Sequence, residues 1–273
     1  MKCENDCDLH VHTTYSDASR NVREVMEYAK MIGLKYIAIT DHDTMAGVEE
    51  AEYLGEALGV KVIPGVEISS RDEETGRSVH VLCYNPQDCK LLESFLKKTR
   101  ERRQEQKLKM VDKIPLLNRE VVKKYAENSK SIYECHIMQP LCDMGYTNTA
   151  VGELMVSLIS SKGSCFVPSR YPKTKEVINL IRHVGGVAVI AHAQQFNSFE
   201  LIERYARENL IRGVEVWHPR NDEESRQRLL MIAKRYKLLL TGGSDYHGQY
   251  ARNPKPLGFC GCSINDAERI IKQ

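Results

Sequence analysis

His10 and His12 stand two positions apart in the run DLHVH, and on an extended strand a period of two turns both imidazoles to one face, where they can share a metal ion. Further potential ligands stand in or just after later apolar runs: His42 after KYIAIT, Glu67 within VKVIPGVEIS, His80 in SVHVLCY, His192 after GVAVIA, and Asp245 with His247 after KLLLTG. Any one of these histidines alone would be an ordinary core or surface residue; the repetition at strand after strand gives the set its weight. Together with Asp17 they make six histidines and three carboxylates. Imidazole and carboxylate without thiolate suit zinc, manganese or iron, not a structural cysteine-type zinc site. These donors exceed the needs of one tetrahedral ion and suffice for two or three if Glu67 bridges. Three divalent ions against three carboxylates leave a net positive charge before any hydroxide, in a cleft that would favour a phosphate dianion.

Such donors need a frame that gathers them. Runs rich in Val and Ile at 7–11, 35–40, 60–69, 78–84, 186–191, 213–217 and 237–242 read as strands. Amphipathic stretches at 21–32, 44–58, 174–184, 198–208, 222–235 and 264–272 read as helices. This alternation predicts an α/β fold with a largely parallel sheet, closed into a barrel or near-barrel, whose C-terminal strand ends converge on one site. The interval 91–165 breaks the rhythm and reads as helices near 91–112, 118–127, 135–144 and 149–161. The expected organisation is therefore a barrel formed by 1–90 and 166–273 with an inserted helical lobe at 91–165. Within that lobe, Lys97 to Lys113 holds eight basic residues against three acidic ones. It is either a solvated helix face or a rim that attracts phosphate-bearing substrates, with Arg102 and Arg103 placed to guide a longer anion.

The 273 residues are 42% hydrophobic and 28% charged, which fits a globular protein and excludes disorder, collagen-like repeats and coiled coil. A net charge of +2 gives no global pull toward nucleic acid or an anionic membrane, so any attraction for a polyanion is local. No signal-like h-region or membrane-length apolar run is present, and the expectation is a cytoplasmic protein with no membrane partner. Nine cysteines without a CxxC pair argue for reduced thiols rather than a disulfide framework.

The segments DLHVHTTYSD (8–17), ITDHDT (39–44), PGVEIS (64–69), HVLCY (80–84), AVIAHA (188–193), GVEVWHP (213–219) and GGSDYHG (242–248) resemble the PHP family, named for its polymerase and histidinol phosphatase members. The motifs span nearly the whole chain in family order. They look most like the small stand-alone phosphoesterases that include nucleoside 3',5'-bisphosphate phosphatases and a 5'-3' exoribonuclease. The resemblance implies a distorted seven-stranded (β/α) barrel with a trinuclear centre of Mn, Zn or Fe. It assigns His10, His12, Glu67 and Asp245 to a first ion, Glu67, His80 and His192 to a second, and Asp17, His42 and His247 to a third. It also implies that the helical lobe caps the site, and aligns His136 with a substrate-facing histidine. The family usually carries an Arg two residues before that histidine; here Glu134 stands there and would repel a second phosphate. Arg119, Arg170 and Lys173 are the candidate replacements, Arg170 as the substrate contact.

The expected reaction is hydrolysis of a phosphate monoester of a small nucleotide-like substrate, such as a nucleoside 3',5'-bisphosphate, by a metal-bound hydroxide held at Glu67. His218 could bind the phosphate or protonate the leaving group, and Asp43 would orient a ligand imidazole. Alternatives are 5'-3' trimming of short 5'-phosphorylated RNA and cyclic nucleotide phosphodiester hydrolysis. A non-catalytic binding module is the rival of another class, and the intact ligand positions argue against it.

Overall fold

Capping residues and prolines set the element boundaries of the computed structural model, which describes residues 6–273; Cys3 lies outside them. Strand β1 (Cys7–Val11) leads to helix α1 (Val22–Met31), which starts where Asn21 and Glu24 cap each other reciprocally and buries Val22, Val25, Met26 and Ala29. Then come β2 (Tyr36–Ile39), α2 (Val48–Leu58), β3 (Lys61–Val62) and β4 (Gly65–Arg71). The single strand expected over 60–69 is thus two, because Pro64 between them has no N–H for a ladder. After β5 (Ser78–Tyr84) the chain forms α3 (Cys89–Val111), α4 (Arg119–Tyr125), α5 (Glu134–Asp143) and α6 (Glu153–Ile159). It resumes with α7 (Thr174–His183), β6 (Val187–Ile190), a short α8 (Ala193–Phe196), α9 (Phe199–Arg207), β7 (Gly213–Trp217), α10 (Glu223–Tyr236), β8 (Leu239–Gly242) and α11 (Ile264–Ile271).

The described strands form two sheets, β1-β2-β3, which is parallel, and β4-β5-β6-β7-β8. The second is mixed: β5 runs antiparallel to both β4 and β6, while β6, β7 and β8 are parallel. The largely parallel sheet expected from alternation fails at β4 and β5, which have no helix between them. Asp72 accepts from the Thr75 backbone and hydroxyl, closing a tight turn that only an antiparallel hairpin can use. The sheets meet through single bridges, His42 with Glu67 and Val11 with Tyr246, in place of continuous ladders.

Apolar side chains from the β4–β8 sheet pack against α7, α9 and α10. A separate apolar cluster, including Met110, Val122, Ile137, Met138 and Leu141, holds α3 to α6 together. Helix α3 spans both: Leu92 and Leu96 pack into the sheet core, while Met110 and Val111 belong to the helical cluster. No described helix is long and apolar enough to cross a membrane.

Candidate metal centre

Glu67 lies on β4 with 1% exposure at the middle of the histidine cluster. Its Oε2 is 3.2 Å from His10 Nε2, 3.2 Å from His12 Nε2 and 3.1 Å from His42 Nδ1. Its Oε1 is 2.9 Å from His80 Nδ1 and 2.8 Å from His192 Nε2. Asp245 Oδ1 reaches His10, His12 and His247 at 3.5, 3.3 and 3.4 Å. Asp17 reaches His12, His42 and His247 at 3.6, 3.8 and 3.4 Å. All nine residues expected to be ligands are thus brought together: His10, Glu67 and His80 from within β1, β4 and β5, and the others from the segments that follow β1, β2, β6 and β8.

The donor set fits divalent cations. His10 Nε2, His12 Nε2 and His42 Nδ1 are buried and point at Glu67, yet none makes a hydrogen bond. Donor atoms of His10, His12, Glu67 and Asp245 lie within 4.8 Å of one another, as do those of His12, Asp17, His42 and His247, and those of His42, Glu67 and His80. The electrostatics agree. Burial alone would push the Glu67 carboxyl up, but the His42, His80 and His10 imidazoles hold it well below the usual range. Burial opposes charge on His12 too, yet the Asp245, Glu67 and Asp17 carboxylates beside it raise it to about 10, while burial takes His192 down to about 4. A histidine forced to keep a proton among buried carboxylates marks a place short of positive charge.

Partners behind the ligands fix them. Glu215, fully buried on β7, binds His10 Nδ1 at 2.8 Å through one oxygen and the His192 backbone N–H at 2.7 Å through the other. That contact puts the His10 proton on Nδ1 and leaves Nε2 free to ligate. Sequence reasoning missed Glu215; its signal was a carboxylate at the centre of the apolar run GVEVW. Asp41 accepts from the Thr13 N–H and the Ser16 hydroxyl, and Ser16 Oγ lies 3.4 Å from His12 Nδ1. Asp8 accepts from Ser244 N–H and Gly258 N–H, tying β1 to the loop after β8. Gly243 allows that approach, because a Cβ there would lie 2.4 Å from the His10 backbone nitrogen. His192, Asp245 and Asp43 all hold positive φ, at 27°, 51° and 52°, so backbone strain gathers at the centre.

Asp43 does not orient an imidazole. Its carboxylate accepts from Ser69 N–H at 2.9 Å and from Arg103, because β4 and α3 reach it before any histidine does. Arg103 is also not a free guide for anions: it is 3% exposed and donates to Ser69, Tyr133 and Tyr171 as well. Arg100 donates to Asp43 O at 2.7 Å, and Tyr133 OH donates to His42 O at 2.8 Å. The inward face of the basic helix therefore clamps the loop that carries His42, while Arg102 faces solvent.

A cleft of about 1060 Å³ opens over Asp17, His218, Asp245 and His247, with Glu134 and Cys135 from α5 and Arg220, Arg252 and Lys255 from the loops after β7 and β8. A second of about 590 Å³ opens over His42 and His80, with Arg71, Arg103 and Lys107. His218 faces the first cleft; its Nε2 is 3.2 Å from Asp245 Oδ2 and its Nδ1 accepts the Arg220 N–H. His136 lines neither cleft: buried, it accepts the Tyr133 N–H on Nδ1. Arg170 is exposed, and its neighbours Ser169 and Tyr171, not Arg170 itself, line the second cleft. Arg119 is spent on Asp112 at the surface.

Known proteins are similar to this chain over most of its length. A phosphoribosyl 1,2-cyclic phosphate 1,2-diphosphodiesterase of Eggerthella lenta is 36% identical over 257 residues, covering 92% of this chain and 97% of that protein. A 5'-3' exoribonuclease of Haemophilus influenzae is 29% identical over 253 residues, covering 88% of this chain and 89% of that one. A solved structure, provisionally assigned as a metal-dependent phosphoesterase of Bifidobacterium adolescentis, superposes with a TM-score of 0.89 at 32% identity, covering 97% of this chain and 95% of its own. The PHP domain family model matches residues 8–186, and with these relatives it shows that the chain belongs to the PHP domain family and is a metal-dependent phosphoesterase.

Proposed function

We propose that this protein hydrolyses phosphate esters of a small phosphorylated ribose or nucleotide, with a 1,2-cyclic phosphate of ribose 5-phosphate as its leading substrate. The observation that carries the reading is the Glu67-centred donor cluster, whose Asp17, Asp245 and His247 line a cleft of about 1060 Å³ that also carries Arg220, Arg252 and Lys255. That volume suits a sugar phosphate or a nucleotide, and the rim cations suit a second phosphate. The name of the Eggerthella lenta relative supports the choice of ribose cyclic phosphate.

In this reading three divalent ions, manganese, zinc or iron, share the donors in the sets His10, His12, Glu67 and Asp245; Glu67, His80 and His192; and Asp17, His42 and His247. Bound there, such ions supply Lewis acidity toward a phosphoryl group and lower the pKa of water. Glu67 holds two donor sets at one distance, and Glu215 keeps the His10 lone pair facing inward. With Nδ1 occupied by the Arg220 N–H, His218 presents its Nε2–H at the cleft beside Asp245 and is placed to donate a hydrogen bond to a phosphoryl oxygen. The two sheets act as one distorted barrel, residues 91–165 act as its cap, and unpaired thiols such as Cys83, Cys135 and Cys165 suit a reducing cytoplasm.

The test is a parallel assay of the manganese-loaded protein on ribose 5-phosphate 1,2-cyclic phosphate, adenosine 3',5'-bisphosphate and a 5'-phosphorylated RNA 5-mer. The fastest turnover is expected on the first. Faster trimming of the RNA would make the cationic rim a strand guide and the protein an exoribonuclease, and inactivity on all three would overturn the reading.

A further inference from the structure

Glu134 begins α5, and its side chain, 44% exposed, lines both clefts. Its Oε1 is bound by Lys107 Nζ, and Lys107 is itself only 3% exposed. The other carboxylate oxygen has no side-chain partner among the described residues. Burial would push the Glu134 carboxyl up, but the Lys107 ammonium and nearby Arg103 hold it below the usual range, so the group is ionised. An ionised carboxylate accepts hydrogen bonds and offers none, and it repels phosphate. The cations available to a phosphate, Arg220, Arg252 and Lys255, come from the loops after β7 and β8 and line the same cleft. The cleft is thus divided by chemistry into a part that accepts hydroxyls and a part that accepts anions.

We infer that Glu134, held by Lys107, is a specificity-determining residue that accepts a hydrogen bond from a free sugar hydroxyl of the substrate and turns away a phosphate at that position. The inference deepens the proposed function and rests on it for the identity of the sugar. A substrate that satisfies both parts of the cleft carries a free hydroxyl beside the scissile ester and its second phosphate at the far side of the sugar. The buried Lys107 has a defined part in this. Bound to Oε1, it offsets the charge of Glu134, and without Glu134 its ammonium would attract phosphate instead.

The experiment compares wild type with Glu134→Gln and Glu134→Ala on ribose 5-phosphate 1,2-cyclic phosphate and on adenosine 3',5'-bisphosphate. Glu134→Ala should lower kcat/KM on the cyclic phosphate by about tenfold to a hundredfold, mainly through KM, the range of one hydrogen bond to a charged group. The same variant should raise kcat/KM on the bisphosphate, because the freed Lys107 ammonium then faces a phosphate. Glu134→Gln, which keeps an acceptor oxygen, should retain more of the cyclic phosphate activity than Glu134→Ala. A parallel fall on both substrates would mark a merely structural residue and overturn the inference. A binding arm reads Glu134 even if neither ester turns over: calorimetric titration of the manganese-loaded protein with ribose 5-phosphate and with 3-deoxyribose 5-phosphate. Wild type should bind the ribose form more tightly and Glu134→Ala should lose the preference; equal binding of both sugars by wild type would overturn the inference while leaving the proposed reaction standing.

Discussion

At the strand ends, the ligand side chains are held from behind by buried backbone and carboxylate partners: Glu215 behind His10 and His192, Asp41 through Ser16 behind His12, Asp8 across to Ser244. Across the cleft, α3 and α5 reach the same centre through long side chains, Arg100, Arg103, Lys107, Tyr133 and Glu134. In the first region His10, Glu67 and His80 sit on strands, and His12, His42 and His192 stand within a few residues of a strand end. The second region touches the centre through guanidinium, phenol and ammonium groups that can exchange partners. In the proposed reading, chemistry sits on the strand side and substrate choice on the helical side.

The sharpest way to break this comparison is Glu67→Gln. Since one carboxylate faces five histidines, turnover should fall by about a thousandfold or more, with metal content below wild type by elemental analysis. Near wild-type activity at full metal occupancy would remove Glu67 from the centre. Next is the clamp between regions. Arg103→Met leaves the buried Asp43 carboxylate without its cation and should cost about 3–5 kcal/mol in denaturant unfolding. Arg102→Gln, one position away and exposed, should stay within about 0.5 kcal/mol. Equal effects of the two would mean that α3 does not clamp the His42 loop.

Acid stability probes the helical region separately. Burial takes His136 down to about 4 from its ordinary 6.5, so the unfolded chain binds a proton that the folded chain does not as pH falls below 6.5. The associated stability is fully present above that pH and is lost toward pH 4, on the order of 3 kcal/mol for this one group. His136→Gln keeps an acceptor for the Tyr133 N–H but does not titrate, so its unfolding free energy should fall less over the same range. Identical pH profiles for the two proteins would assign the acid sensitivity elsewhere. The smallest expected effect belongs to Glu215→Gln, which weakens the contact that sets the His10 tautomer and should reduce metal affinity by about tenfold to a hundredfold in a chelator competition.

Much of the strand-end centre was legible because a period of two and a recurring position at the end of apolar runs are local signals. His10, His12, His42, His80 and His192 announce themselves in that way. Glu215 did not, since a carboxylate inside a strand shows its purpose only when the residue it faces, His10 on a distant strand, is known. The basic run was legible as a helix but not in its direction. Arg100, Arg103 and Lys107 recur at helical spacing, a signal for one face, yet only Asp43 and Glu134 show that this face turns inward. Asp43 was misread for the same reason, as the residue next to a ligand but not aimed at it. The antiparallel β4–β5 hairpin was hidden behind the general strand-helix rhythm, although its short connection around Asp72 was there to be read.

Asp8 joins β1 to residues 236 and 250 positions later, and the donors of the centre run from His10 to His247. The site is therefore a property of the finished chain. During synthesis His10 and His12 are made long before Asp245 and His247 exist, and Gly258 of the loop that closes against Asp8 comes later still. Such long-range closure slows folding, because the entropy of bringing the two ends together is lost before their contacts form. A complete donor set exists only once Asp245 and His247 have been made, and a chain ending before Asp245 holds the sequence of every described strand but no complete centre.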